Sequence, residues 1–366
     1  MTNTQIGGLG ERTAVRGTPK NSTLEGSARG ERLVRVLAVG EVGVLAALII
    51  IVALFYSIEP AFLSGRNLIA IFTVVSFIGI IAIGQTLLLV GGEFDLSVGS
   101  IAGLSAVVSA KLMTAVALPV PLAVLGGMAV GGTVGLVNGL VVVKLRIPAF
   151  IQTLGMLFVG QGLIQLVTNG YPVYPLPKIV GAVGMAHAIA GLGWSFIFFL
   201  VVGFVADFVL RRTVLGRNMY ATGGNPEVAR LVGINTAAYK IGAFILVGVL
   251  SAIAGMFVMA DLASGTTSIG SGWELAVIAG VVVGGVSLFG GAGTMAGGLL
   301  GILLLQAVQS GLVVAGVNAN FQQIAVGTIM VLAVGLDILR RRIFIAGGSS
   351  GSAETVELAP PEAAAK

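Results

Sequence analysis

The chain has 366 residues, is 56% hydrophobic and only 10% charged, and has a mean hydropathy of +1.05. A soluble domain carries about 25% charged residues, so this composition excludes a soluble protein and predicts a polytopic membrane protein. The absence of cysteine excludes disulfides, thiolate metal sites and cysteine nucleophiles, and the placement of the net charge of +5 reads as a topology signal rather than a nucleic-acid surface.

Residues 1–35 are polar and basic, rich in Gly, Ser and Thr, without the apolar core of a cleaved signal peptide. They predict a disordered cytoplasmic tail. Residues 36–342 form the predicted membrane domain. Its apolar runs fall at Leu37–Tyr56, Leu68–Val90, Leu96–Val116, Leu122–Val143, Phe150–Val167, Trp194–Leu210, Ile241–Ala260, Leu275–Phe289, Met295–Val314 and Ile324–Leu339. Most approach the roughly 20 residues that cross a bilayer. The third begins beside charged residues and the eighth is short. The prediction is an all-α bundle of about ten spans. The 56 glycines suit close helix packing.

Charge placement supports an even count with both termini cytoplasmic. Alternating spans put the basic N-terminal tail, Lys144, Arg146, the loop Arg211–Lys240 and the cluster Arg340–Arg342 inside. Only Arg66, Lys111 and Lys178 fall outside, as the positive-inside rule predicts.

Between the second and third runs lies Gly91-Gly92-Glu93-Phe94-Asp95-Leu96-Ser97-Val98-Gly99-Ser100. Asp95 can cap the following helix, and Gly99 permits close packing. The residues leave two readings open: an ordered, partly re-entrant element that meets a partner or lines a path, and a capped helix start in an ordinary loop. Polar groups inside apolar runs are costly and mark packing contacts or a path. The candidates are Gln85, Asn138, Gln152, Gln161, Glu274, Gln306 and Gln309. Gln306 and Gln309 share a helix face, and Glu274 is read as interfacial on the outer side. No Asp–Arg–His chain occurs in mid-span, which argues against a proton relay.

The longest outside loop, Asn169–Gly193, carries three prolines and is read as a lid or a contact surface. Its His187, the only histidine, has no histidine or carboxylate neighbour and reads as a surface residue.

The loop Arg211–Lys240 is the longest polar interval within the membrane domain. In it Gly224-Asn225-Pro226-Glu227 reads as a helix start. Asn225 caps free amides, Pro226 suits the first helical position, and Glu227 meets the positive end of the helix dipole. Gly233 supplies the stop. This short helix, with Val228, Leu231 and Val232 on one side and Arg230 elsewhere, exceeds what a connector needs and reads as a docking element.

Gly290-Gly291-Ala292-Gly293, followed by Gly297-Gly298, lacks the Lys and Ser/Thr of a phosphate loop and reads as a tight turn. GGEFDLSVGS and GGAGTMAGG both lie between an inward-going and an outward-going span, a faint internal echo. Residues 343–366 predict a second disordered tail.

Three stretches together resemble the membrane permease subunit of bacterial ABC-type sugar importers, the ribose/xylose/galactose group. GGEFDLSVGSIAGL resembles that family's GG-I-DLSVGS signature, with Phe94 where isoleucine is usual. GRNMYATGGNPEVARLVGIN resembles its cytoplasmic coupling segment. ELAVIAGVVVGGVSLFGGAGTMAGGLLGILLLQAVQSGLVVAGV resembles its C-terminal core. The resemblance implies an inner-membrane transport subunit, not an enzyme, with no catalytic residue, metal or cofactor of its own. It also implies three partners: a second permease copy, a cytoplasmic ATPase that binds ATP and receives Gly224, Asn225, Pro226, Glu227, Arg230 and Gly233, and a periplasmic sugar-binding protein. It assigns Gly92, Glu93, Asp95, Ser97 and Gly99 to the signature loop. Two alternatives are a permease of the branched-chain amino-acid type and a stand-alone secondary carrier.

Overall fold

Apolar runs of crossing length become helices because a bilayer leaves the backbone no other way to satisfy its polar groups. The computed structural model describes residues 40–318, with Phe321, Ile324, Gly327, Thr328, Val331, Leu332 and Gly335. The described residues lie in one compact unit, Gly40–Lys366. The helices are α1 (Gly40–Ile58), α2 (Gly65–Val90), α3 (Val98–Thr114), α4 (Val120–Lys144), α5 (Ala149–Thr168) and α6 (Lys178–Gly184). After a two-stranded hairpin (β1 His187–Ile189, β2 Leu192–Gly193) come α7 (Trp194–Arg212), α8 (Val214–Gly224), α9 (Pro226–Leu231), α10 (Thr236–Asp261), α11 (Trp273–Val283) and α12 (Met295–Val314).

Seven of these, α1, α2, α4, α5, α7, α10 and α12, are long and apolar enough to cross a membrane, so the chain is a polytopic helical membrane protein. The predicted third and eighth spans are shorter helices, α3 and α11. The eighth ends at Val283 rather than Phe289. The predicted tenth span falls largely outside the described residues, as do both predicted tails.

The two helices at the centre are α2 and α10, each with 56% of its most apolar window buried, against 17% for α1. Ile80–Ile83 and Leu88–Val90 of α2 are fully enclosed. The face of α4 toward α10 is built from glycines four residues apart: Gly127, Gly131, Gly135 and Gly139. A Cβ on Gly131 would lie 2.7 Å from the Ala252 Cβ, and one on Gly139 would lie 3.0 Å from the Ile241 Cα. Without bulk on that stripe the two backbones meet directly, the packing device of membrane helices. Phe204, Phe158 and Leu166 point outward from α7 and α5, as side chains facing lipid do.

The short helices are short because each follows a stretch of non-helical chain that runs back into the stack. Past α10, Gly265 pairs with Val173 through two backbone hydrogen bonds of 2.9 and 3.1 Å. Going on from there, Gly265 lies against Ala110, Ile269 against Gly103 and Gly270 against Gly99. Those contacts climb down α3 by about 16 Å, roughly half of a hydrocarbon core of about 30 Å. Only then does α11 begin. The segment 91–97 is likewise non-helical before α3, with Asp95 and Ser97 buried. Irregular backbone at such depth is tolerated because protein surrounds it.

Candidate functional site

The ends of the two broken spans meet at Gly99. A Cβ there would lie 2.6 Å from Glu274 Oε2 and would collide with the Gly270 carbonyl. Glu274 therefore sits beside the start of α3, not at the outer interface the sequence suggested. Its place follows from the inward run of 265–272, which the sequence shows only as small and polar residues.

Around the start of α3 the polar candidates join into a network. The Ser97 N–H and Oγ both donate to Asp95 Oδ1 at 2.6 Å. Asn138 Nδ2 of α4 donates to Asp95 Oδ2 at 3.1 Å and to Ser97 Oγ at 2.9 Å. Gln152 Nε2 of α5 donates in turn to Asn138 Oδ1 at 3.1 Å. Asp95, Ser97 and Asn138 are fully buried. A buried carboxylate is held only where donors meet it, and here the Ser97 N–H, Ser97 Oγ and Asn138 Nδ2 donate to it while Gln152 holds Asn138 in place. Asp95 does not cap α3 at its first residue; it fixes Ser97 in an Asx-type turn that starts the helix.

Four other candidates stay apart, among them Gln161, exposed on α5. Gln306 and Gln309 on α12 form no hydrogen bond among the described residues, whereas their neighbour Ser310 donates to Asn67 at 2.8 Å. Gln85 on α2 is fully buried, and neither of its amide atoms has a partner among the described residues.

The short helix α9 folds as its residues predict. Asn225 Oδ1 accepts from the N–H groups of Glu227 and Val228, both at 3.1 Å. Pro226 opens α9, and Gly233 stops it at φ 86°. Arg230 Nε donates to Thr236 Oγ1 at 3.0 Å. Ala229 faces inward at 2% exposure, while Leu231 and Val232 stand 87% and 71% exposed. The helix before it, α8, was not foreseen. Its signal was Thr213, whose Oγ1 accepts from the Gly216 N–H as a helix cap.

Three glycine pairs then converge on one point: Gly91-Gly92 after α2, Gly223-Gly224 at the end of α8, and Gly290-Gly291 in the turn before α12. A Cβ on Gly290 would lie 2.7 Å from both the Gly92 Cα and the Gly223 carbonyl oxygen. One on Gly291 would lie 2.5 Å from the Gly224 Cα. The Gly291 N–H donates to the Val90 carbonyl at 2.9 Å. Here three backbones touch with no side chain between them. Polar ties surround the point. Lys240 Nζ pairs with Glu93 Oε1 at 2.6 Å, half-buried. Tyr220 Oη donates to the Gly293 carbonyl at 2.7 Å, and burial raises its phenol above the ordinary range, so it remains a donor. Thr294 Oγ1 donates to Glu41 at 2.5 Å, and Arg211 bridges Glu41 and Asp207 at 2.9 and 2.7 Å.

The chain is 37% identical over 300 residues to the L-arabinose ABC transporter permease protein AraH of Azospirillum brasilense, covering 82% of this chain and 88% of that one. It is 36% identical over 297 residues to the ribose import permease protein RbsC of Escherichia coli K12, covering 80% and 92%. It is 34% identical over 317 residues to the galactose/methyl galactoside import permease protein MglC of the same strain, covering 82% and 94%. No solved structure matches. With seven apolar helices of crossing length and bacterial permease relatives, this is a multi-pass inner-membrane protein. Residues 67–334 match the family described as branched-chain amino acid transport system / permease component, and the chain belongs to that family.

Proposed function

We propose that this chain is the permease subunit of an ATP-driven importer of a monosaccharide or related polyol. Its docking helix α9 takes up a cytoplasmic ATPase, a second copy completes the path, and a periplasmic binding protein delivers the sugar. ATP stays on the ATPase, and this chain does no bond chemistry. The N- and C-termini are cytoplasmic.

The observation that carries the reading is the convergence of three glycine pairs beside α9. A displacement of α9 passes through backbone contact to the turns that lead into α3 and α12. From there it reaches the network around Asp95. An ATPase shifts this equilibrium only by binding the two states differently, and the apolar face of α9 gives it something to grip. The polar residues around the break are mostly uncharged, which suits a neutral polyol. Gln85, buried with no partner among the described residues, gains one when a hydroxyl or water passes it. The sugar-permease relatives support the same substrate class.

The family description favours a second reading, a branched-chain amino acid as cargo. One experiment separates them. The chain is reconstituted with an ATPase and a binding protein encoded beside it, and uptake of labelled arabinose, ribose, galactose and leucine is measured with and without ATP. ATP-dependent uptake of a sugar supports the proposal. Uptake of leucine alone, or uptake driven by an ion gradient without ATPase, overturns it.

A further inference from the structure

A polar cavity lies between the α4–α5 turn, α9 and the start of α10. Its volume is about 530 Å³. Lys144, Arg146, Arg230 and Lys240 line it, and Glu93 is the single acidic group among them. Glu93 is already paired with Lys240. Arg230 has only the Thr236 hydroxyl. Lys144 and Arg146 are exposed and have no ion pair among the described residues. Four cations around one cavity with one carboxylate repel one another unless an anion enters. The permease reading uses Arg230 for docking and leaves Lys144 and Arg146 no part beyond the topology signal.

The surroundings indicate which anion. The cavity opens at the ends of two crossing helices, where a bilayer surface lies. Leu145, Phe150 and Ile151 flank the two unpaired cations and point outward at 67%, 52% and 59% exposure. A ligand that fits both features has an anionic head and apolar tails. Basic pockets between membrane helices hold such headgroups through point charges and donors.

We infer that this cavity binds the phosphate headgroup of an acidic phospholipid, its acyl chains lying along the α4–α5 edge. The bound lipid would bridge the α4–α5 turn, the docking helix and the start of α10, and would therefore bias the position of α9.

The test uses the full chain in phosphatidylcholine nanodiscs, titrated with fluorescent phosphatidylglycerol. Native mass spectrometry gives the retained lipid in parallel. Removing both unpaired charges in Lys144→Gln/Arg146→Gln is expected to weaken binding roughly thirtyfold, the equivalent of about 1 kcal/mol for each of the two basic residues near an anionic surface. Arg212→Gln, which removes an exposed charge elsewhere, leaves it unchanged. Equal binding by wild type and the double variant overturns the site. So does equal affinity for labelled phosphatidylcholine. Saturation by inorganic phosphate with no preference for the lipid assigns the cavity to a free anion and overturns the lipid. If the double variant loses ATPase binding while lipid binding holds, the cavity belongs to the protein partner and the proposal fails. None of these outcomes depends on which cargo is carried.

Discussion

Asn138 is the residue on which the polar network turns, since its amide donates to Asp95 and Ser97 and accepts from Gln152. Replacing it with Leu leaves a buried carboxylate oxygen and the Gln152 amide with fewer partners. An unmet buried group costs about 1–3 kcal/mol, so Asn138→Leu should lower unfolding stability by that much, read as a fall in Tm in detergent. Gln85 should behave in the opposite way. It already lacks partners among the described residues, so Gln85→Leu should raise Tm while reducing uptake. A fall in Tm there would mean the amide is satisfied in the working protein. The sequence marked both residues as polar groups in apolar runs. It did not separate them, because Asp95 and Asn138 lie 43 positions apart and only the folded chain brings them together.

At the level of elements, the long helices were legible and the broken ones were not. A run of about 20 apolar residues has only one stable form in a bilayer, so α2, α4, α5, α7, α10 and α12 could be read directly. The stretch 262–272 is small and polar, and in a sequence it looks like an exposed loop. Its true course depends on the glycines of α3, which let its backbone press against them. Helix α9 was legible because capping is local: Asn225, Pro226 and Gly233 act within a few residues. Its apolar outer face gives a prediction. Leu231→Asp and Val232→Asp place charge on side chains that touch little of this chain, so Tm should hold. Affinity for the ATPase should drop at least about tenfold, measured by pull-down titration or surface binding, as truncations at interface anchors do. Unchanged affinity would place the docking surface elsewhere.

For the whole molecule, the architecture is a buried pair, α2 and α10, carrying outer helices that face lipid, with two broken spans threaded between. In the sequence Gly290-Gly291 reads as a tight turn, Gly91-Gly92 as its faint echo, and Gly224 as part of a helix start. That all three meet at a single point was not visible, because contact between distant backbones leaves no local pattern. The central claim is that motion of α9 reaches the broken spans through this point. The most direct measurement is the number of cargo molecules imported per ATP hydrolysed in Gly290→Ala and Gly223→Ala, a ratio independent of how much protein folds. The predicted result is continued ATP hydrolysis with the ratio reduced at least about tenfold, because a methyl group forced between touching backbones shifts them by a packing cost of about 1–3 kcal/mol. A wild-type ratio in either variant would contradict the claim.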